Sequence, residues 1–351
     1  MQTNTLNCVF ITDQGYLMPT VTAITSLVEN LSNLNSCYVH LIAVDLSNDS
    51  KELIQAFVQN YSNIIVHHKE SESMFQGMDN SSHVSTAALF KFLLPEILPT
   101  ADQVLYLDGD ILINRDLYEY FKGIELGNHY VAAMKDINVM KRKKVPPLER
   151  LGAKHQSYFN SGVMLLNLKK MREEGMTEQL IEFKKHKKSS YMDQDAFNFC
   201  FKGDVLFLPP KINYLTFGFH NFTSTELSTF YQDTSFYNRE KMHEEVVIYH
   251  FASKWKPWNY CLARYTSLFL KHYKKTPYNK NKLKLNYVIQ VNFYILYCLK
   301  MIAPYSLRKA FEPSSRKASV IKVPFKLIKE FVKIITPTGI QLIIDKMKSK
   351  Q

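Results

Sequence analysis

Asp108 and Asp110 stand one glycine apart, directly after Val104-Leu105-Tyr106-Leu107. An apolar run this short fits a buried strand of a parallel sheet. On extended backbone, residues two apart project to the same face. Two carboxylates are therefore expected side by side where the strand ends, and open α/β sheets gather their ligands at that end. Paired hard oxygen donors suit a divalent cation such as Mg²⁺ or Mn²⁺ and leave coordination positions for phosphate oxygens. Asp-Gly-Asp is also ordinary turn chemistry, so the tripeptide alone leaves both readings open.

Three further groups could share in chemistry. Tyr158–Leu168 is a buried-strand pattern with a polar entry that contains Asn160. Asp193-Gln194-Asp195 precedes a short helical pattern over Gln194–Phe201. His250 ends the strand pattern Val246–Phe251 and is followed by Trp255, Lys256, Pro257 and Trp258. Each has a structural alternative. Asp193 could cap the helix beside it, Asn160 could satisfy backbone groups, and His250 could be a core histidine.

These groups need a scaffold, and the chain supplies one. Strands are expected at Leu6–Thr12, Tyr38–Val44, Ile64–His67, 104–107, Ile111–Ile113 and Tyr130–Met134. Helices are expected from about Met18 to Leu31, over Asp49–Tyr61 with Asn48 as cap, over Ser85–Leu94 before Pro95, and over Met171–Lys188. Strands alternating with helices of this length imply an α/β fold with a mostly parallel sheet flanked by helices. Residues 138–158 read as an irregular polar loop.

Charge divides the chain in two. Residues 271–351 hold 18 Lys+Arg against 3 acidic residues, so the first 270 carry 44 − 18 = 26 basic and 32 − 3 = 29 acidic residues. The surplus belongs to a basic tail, which excludes whole-protein nucleic-acid binding as its explanation. Lysines at 322, 326, 329 and 333 form one stripe, opposite Leu327, Ile328, Phe331, Val332 and Ile335. A basic amphipathic helix of this kind lies flat on an anionic membrane surface, or else packs as an ordinary helix over the rest of the chain, and the dense, one-sided lysines favour the membrane. A catalytic region over 1–265 and a mainly helical, membrane-facing region over 266–351 are expected, with surface contact through 270–351. Leu285–Leu299 is short for a membrane span and contains Asn286, Gln290 and Asn292. The five cysteines are widely spaced with no Cys-x-x-Cys pair. With an N-terminus lacking signal-peptide character, they point to the cytoplasm.

The order of motifs resembles the family 8 retaining glycosyltransferases, especially the bacterial lipopolysaccharide glucosyl- and galactosyltransferases. The resemblance covers about residues 5–265. It rests on Val-Leu-Tyr-Leu-Asp-Gly-Asp-Ile-Leu-Ile-Asn-Arg-Asp-Leu (104–117), Phe-Asn-Ser-Gly-Val-Met-Leu-Leu-Asn-Leu (159–168), Asp193-Gln194-Asp195, and His250 with Lys256-Pro257-Trp258. It implies a GT-A-type fold in which Asp108, Asp110 and His250 hold Mn²⁺, or Mg²⁺, on the diphosphate of a UDP-sugar. Ile11, Asp13, Tyr16, Lys91, Gly109 and Lys256 would contact the donor. Asn160, Asp193, Gln194 and Asp195 would border the transferred sugar and the acceptor. Lys91 stands where the family often has arginine, which keeps the charge and loses the forked geometry. Gly15 replaces a residue that is often polar there.

The activity implied is transfer of glucose or galactose to a saccharide acceptor, such as a lipid-linked glycan, by a peripheral enzyme on the cytoplasmic face of the membrane. Retention needs a group on the far face of the anomeric carbon or a same-face displacement, and an amide such as Gln194 is a poor nucleophile. That favours the same-face route. Glycoside hydrolysis also uses paired carboxylates, but it explains neither the strand-end Asp-Gly-Asp nor the distant His250. A non-catalytic nucleotide-sugar-binding protein at the membrane surface is the other alternative.

Overall fold

The strand Gln103–Leu107 (β4) holds the middle of a seven-stranded sheet and delivers the Asp-Gly-Asp turn. The computed structural model describes residues 5–71, 86–140, 158–186, 192–253, 256–259, 265–280 and 283. The chain forms two compact units, one of residues 1–254 with 267–281, the other of 255–266 with 282–351. The first unit carries the sheet.

The other strands are β1 (Leu6–Thr12), β2 (Cys37–Val44), β3 (Ile64–Lys69), β5 (Ile111–Ile113), β6 (Val131–Lys135), β7 (Phe159–Asn167), β8 (Val205–Phe207), β9 (Tyr214–Leu215) and β10 (Ile248–His250). The large sheet runs β3-β2-β1-β4-β7-β6-β8. Its β3, β2, β1 and β4 pair in parallel, β7 is antiparallel to β4 and β6, and β6 pairs in parallel with β8. The expected mostly parallel sheet is thus present, with β7 reversed inside it. Period-two alternation sends Cys8 and Phe10 to one apolar cluster and Val9 and Ile11 to the other, so both faces of β1 are buried. A small second sheet has the order β5-β10-β9.

Several boundaries differ from the sequence reading for identifiable reasons. Asp108 follows the end of β4 and still bonds β7 through its N–H to the Gly162 carbonyl at 2.8 Å, while Gly109 and Asp110 form the turn to β5. The turn at Gly109 and Asp110 therefore helps to bring the two carboxylates together. The helix Asn48–Val58 is capped by Ser47, whose hydroxyl accepts from the Ser50 N–H, and not by Asn48. Tightly wound turns over Thr86–Leu93 run straight into a helix at Leu94–Ile97. Pro95 sits in its first turn, where its missing N–H costs nothing. The long helix expected over Met171–Lys188 is two, Leu168–Glu173 and Met176–His186, divided at Gly175 with φ +59°.

Among the described residues, no helix is long and apolar enough to cross a membrane. The amphipathic stretch at 322–333, and residues 141–157 of the polar loop, lie outside the described residues.

Candidate active site

The first unit gathers the acidic turn and the remote imidazole into one cluster. β10 runs antiparallel to β5 with His250 opposite Ile111, and the Phe251 N–H donates to the Asp110 carbonyl at 2.9 Å. That pairing carries His250 to the turn. Its Nε2 lies 3.3 Å from Asp110 Oδ1 and 3.7 Å from Asp108 Oδ2. One ligand atom from each of Asp108, Asp110 and His250 falls within a 4.8 Å span.

Two glycines make room for this. A Cβ on Gly162 of β7 would stand 2.2 Å from His250 Cε1 and 2.7 Å from Asp108 Oδ2. A Cβ on Gly109 would stand 2.2 Å from Thr20 Oγ1. Thr20 lies in the helix Leu17–Asn30 and donates to the Tyr16 carbonyl at 2.7 Å, and its hydroxyl meets that of Thr12 at 3.2 Å. The acidic turn thus packs against the first turn of this helix, which follows the loop after β1. There the Asp13 carboxylate accepts the Tyr16 N–H at 2.9 Å, and Tyr16 is exposed. Ile11 is buried in an apolar cluster with Val44.

Lys91 links the acidic turn to the helix Met192–Cys200. Its Nζ is 3.0 Å from Asp108 Oδ1 and 2.6 Å from Asp193 Oδ2, and 4.5 Å from the centre of the Tyr106 ring. Burial alone would lower its pKa, but the charges of Asp108 and Asp193 outweigh burial and hold it well above the usual lysine value. Lys91 is therefore a fixed cation. Tyr106 donates its hydroxyl to Asp108 Oδ1 at 2.7 Å, and burial followed by the Asp108 charge pushes its pKa up. Asp193 is in the first turn of its helix and binds Lys91 and the Ser161 hydroxyl.

A second, polar wall adjoins Asp193. Gln194 Oε1 accepts from the Ser161 N–H and from Asn160 Nδ2, both at 3.1 Å. Its Nε2 donates to Asp136 Oδ2 at 3.2 Å and to the Tyr158 hydroxyl at 3.0 Å. Both polar atoms of the Gln194 amide are engaged within the wall. Tyr158 donates in turn to Asp195 Oδ1 at 2.8 Å, and Asp195 is almost fully enclosed. Asn198 closes the base of the wall, accepting from the Phe159 N–H and donating to the Phe159 carbonyl.

The structure therefore brings together Asp108, Gly109, Asp110, His250, Lys91, Asn160, Asp193, Gln194 and Asp195, with Thr20, which bonds the Tyr16 carbonyl, against the turn at Gly109. Lys256 belongs to the second unit, where its Nζ stands 5.8 Å from the centre of the Trp258 ring. Asp136, Tyr158, Asn198 and Asn213 were missed from sequence. Asp136 follows β6, where the β6–β7 register shifts between Ala133 and Lys135, and such irregularities re-aim side chains. Only a polar residue at the end of an apolar run hinted at it.

Asp108, Asp110 and His250 fit a divalent cation. Two carboxylate oxygens and one imidazole nitrogen are a donor set for Mn²⁺, with Mg²⁺ favouring oxygen more strictly. Glycine at 162 keeps the space between them clear, and Lys91 pairs with this acidic cluster through Asp108 and Asp193.

Residues 7–261 match the profile of glycosyl transferase family 8. A lipopolysaccharide 1,2-glucosyltransferase of Escherichia coli K12 is 30% identical over 263 residues, covering 72% of this chain and 73% of that one. A Haemophilus influenzae relative is 27% identical over 213 residues, and the match spans 63% of its length, just under two thirds. The fold is similar to that of the galactosyltransferase LgtC solved with donor and acceptor sugar analogues, with a TM-score of 0.65 at 24% identity, covering 78% of this chain and 96% of LgtC. It is also similar to the bifunctional glycosyltransferase WbbM, with a TM-score of 0.67 at 21% identity, covering 79% of this chain and 50% of WbbM.

Proposed function

Since the chain belongs to glycosyl transferase family 8, we propose that it moves a hexose, glucose or galactose, from a UDP-sugar to a saccharide acceptor with retention of anomeric configuration. The observation that carries this reading is the convergence of Asp108, Asp110 and His250 within 4.8 Å, beside a buried Lys91. These three residues would hold Mn²⁺, or Mg²⁺, which when bound supplies electrostatic stabilisation to a departing diphosphate.

The chain's own groups divide the remaining work. Lys91 offsets one of the two charges of Asp108 and Asp193 and so sets how much negative charge the site presents to an anionic donor. The wall of Asn160, Gln194 and Asp136 presents a rigid polar surface to a sugar, and rigid donors and acceptors cost no reorganisation during reaction. Engagement of the Gln194 amide on both sides argues against its acting as a nucleophile, and Asp195 is enclosed beneath Tyr158. This supports same-face displacement, in which the acceptor hydroxyl attacks from the side of the leaving phosphate and the phosphate oxygen takes its proton.

The proposed acceptor is a lipid-linked glycan, such as a lipopolysaccharide core or capsule precursor, met at the cytoplasmic face of the membrane. The similarity to a lipopolysaccharide glucosyltransferase and the basic composition of 270–351 support this. A screen of UDP-sugars with Mn²⁺ and candidate acceptors, with the product anomer read by NMR, is the test. Metal-dependent formation of an axial (α) glycoside is expected. Release of free sugar without glycoside would turn the reading to hydrolysis.

A further inference from the structure

One line of hydrogen bonds joins the imidazole of the proposed metal centre to the wall beside the sugar. Its direction is fixed by a backbone group. The Gly162 N–H donates to Asn160 Oδ1 at 3.1 Å, so that atom is an acceptor. Asn213 must therefore turn its amide nitrogen to the same oxygen, where Nδ2 donates at 2.9 Å. Its own oxygen then faces His250 Nδ1 at 2.8 Å. An oxygen facing a ring nitrogen can only accept, so Nδ1 carries the proton. At the other end, Asn160 Nδ2 donates to the Asp136 carboxylate at 3.3 Å. Every donor in the line points towards Asp136, an arrangement in which each bond polarises the next. Asn213 is 0% exposed and His250 is 2% exposed, so water does not substitute for either partner.

We infer that Asn213 is a positioning residue that fixes a proton on His250 Nδ1, so that Nε2 is the nitrogen presented to a divalent cation. The inference deepens the proposed reading of Asp108, Asp110 and His250 as a metal centre and rests on it. A ring-orienting partner behind a ligating histidine is commonly worth 10- to 100-fold in metal affinity. The same residue couples the centre to Asn160 and, through Asp136, to Gln194.

Two measurements test this. In the metal-free protein, ¹⁵N NMR of labelled histidine, with the His250 signal assigned by its loss in His250→Gln, is expected to show a protonated, slowly exchanging Nδ1. That result holds whether or not Nε2 is also protonated, and a bare Nδ1 overturns the assignment. In Mn²⁺ titrations followed by electron paramagnetic resonance, Asn213→Leu is expected to weaken binding about 10- to 100-fold. Asn213→Asp, which still accepts from Nδ1–H but loses the donor to Asn160 Oδ1, is expected to bind Mn²⁺ more tightly than the leucine variant. A folded Asn213→Leu with undiminished affinity overturns the role, and so does an Asn213→Asp as weak as the leucine variant. Should Asn213→Leu not fold, the aspartate variant and the ring signature still decide. An unsubstituted protein that binds no Mn²⁺ defeats the metal reading alone, and the proton on Nδ1 then judges Asn213.

Discussion

The ammonium of Lys91 lies 3.0 Å from the Asp108 carboxylate, so the first proposed metal ligand is also half of a buried ion pair. The same ammonium holds Asp193, which makes Lys91 the joint between the acidic turn and the helix Met192–Cys200. Removing one partner of a buried pair leaves charge without compensation. Lys91→Met is expected to cost about 3 kcal/mol, the low end for such pairs because Asp108 is partly exposed. Urea unfolding measures this, and turnover should fall about 100-fold. Lys91→Arg should keep the fold and measurable turnover. A methionine variant as stable as the parent would show that the pair contributes nothing.

Gln194 is predicted to be a strut. Gln194→Glu sets a second carboxylate against Asp136 and replaces a donor with an acceptor. The loss expected at neutral pH is about 2 kcal/mol, the cost of a buried donor–acceptor mismatch. The new carboxyl would have a raised folded pKa, so the loss should shrink as pH falls and the group becomes protonated. Melting temperatures of both proteins at pH 7 and pH 5 supply the comparison. A gap that widens in acid contradicts the role given to Asp136.

Acid should weaken the fold through the edge of the sheet, away from the site. His40 on β2 and His67 on β3 face each other with ring nitrogens 3.1 Å apart. Burial, then the His67 charge, lowers His40 from 6.5 to about 4. The unfolded chain takes up the proton near 6.5 and the folded chain only near 4, so the unfolded state binds more protons between those values. This contribution is whole above 6.5 and is lost as pH falls towards 4. His40→Gln should flatten that part of a stability–pH profile. The slope is not expected to vanish, because burial also lowers His272. An unchanged profile would assign the acid sensitivity elsewhere.

The sequence made the Asp108, Asp110 and His250 cluster legible and left most of its setting hidden. Asp108 and Asp110 stood out because carboxylates interrupt an apolar run, and His250 because a titratable ring ends one. The meeting of the turn with His250 depends on β10 pairing with β5, a tertiary contact that no local pattern encodes. Asn213 and Asp136 carry no motif of their own. Both follow short elements and gain meaning only from the register that faces them to Asn160. Helix ends misread from sequence, such as Ser47 for Asn48, turned on which of two adjacent polar side chains reached an N–H. Pro95 misled in a different way, since a first-turn proline continues a helical segment that a mid-helix proline would break.

The basic tail is expected to bind anionic membranes. The cut should fall after Leu283, because His272 meets Glu29 at 2.5 Å and Lys275 also contacts Glu29, contacts that belong to the first unit. Each Lys or Arg near an anionic surface contributes about 1 kcal/mol. A protein of residues 1–283 should therefore float free of phosphatidylserine vesicles in sedimentation assays, while the full chain sediments with them. Equal sedimentation of both would remove the membrane assignment.

The account stands on a divalent cation shared by Asp108, Asp110 and His250, and calorimetry of UDP binding with and without Mn²⁺ reaches it most directly. The full chain should bind UDP at least about 10-fold more tightly when Mn²⁺ is present, and Asp110→Ala should lose that enhancement while remaining folded. UDP binding that is indifferent to Mn²⁺, and identical in Asp110→Ala, would contradict it.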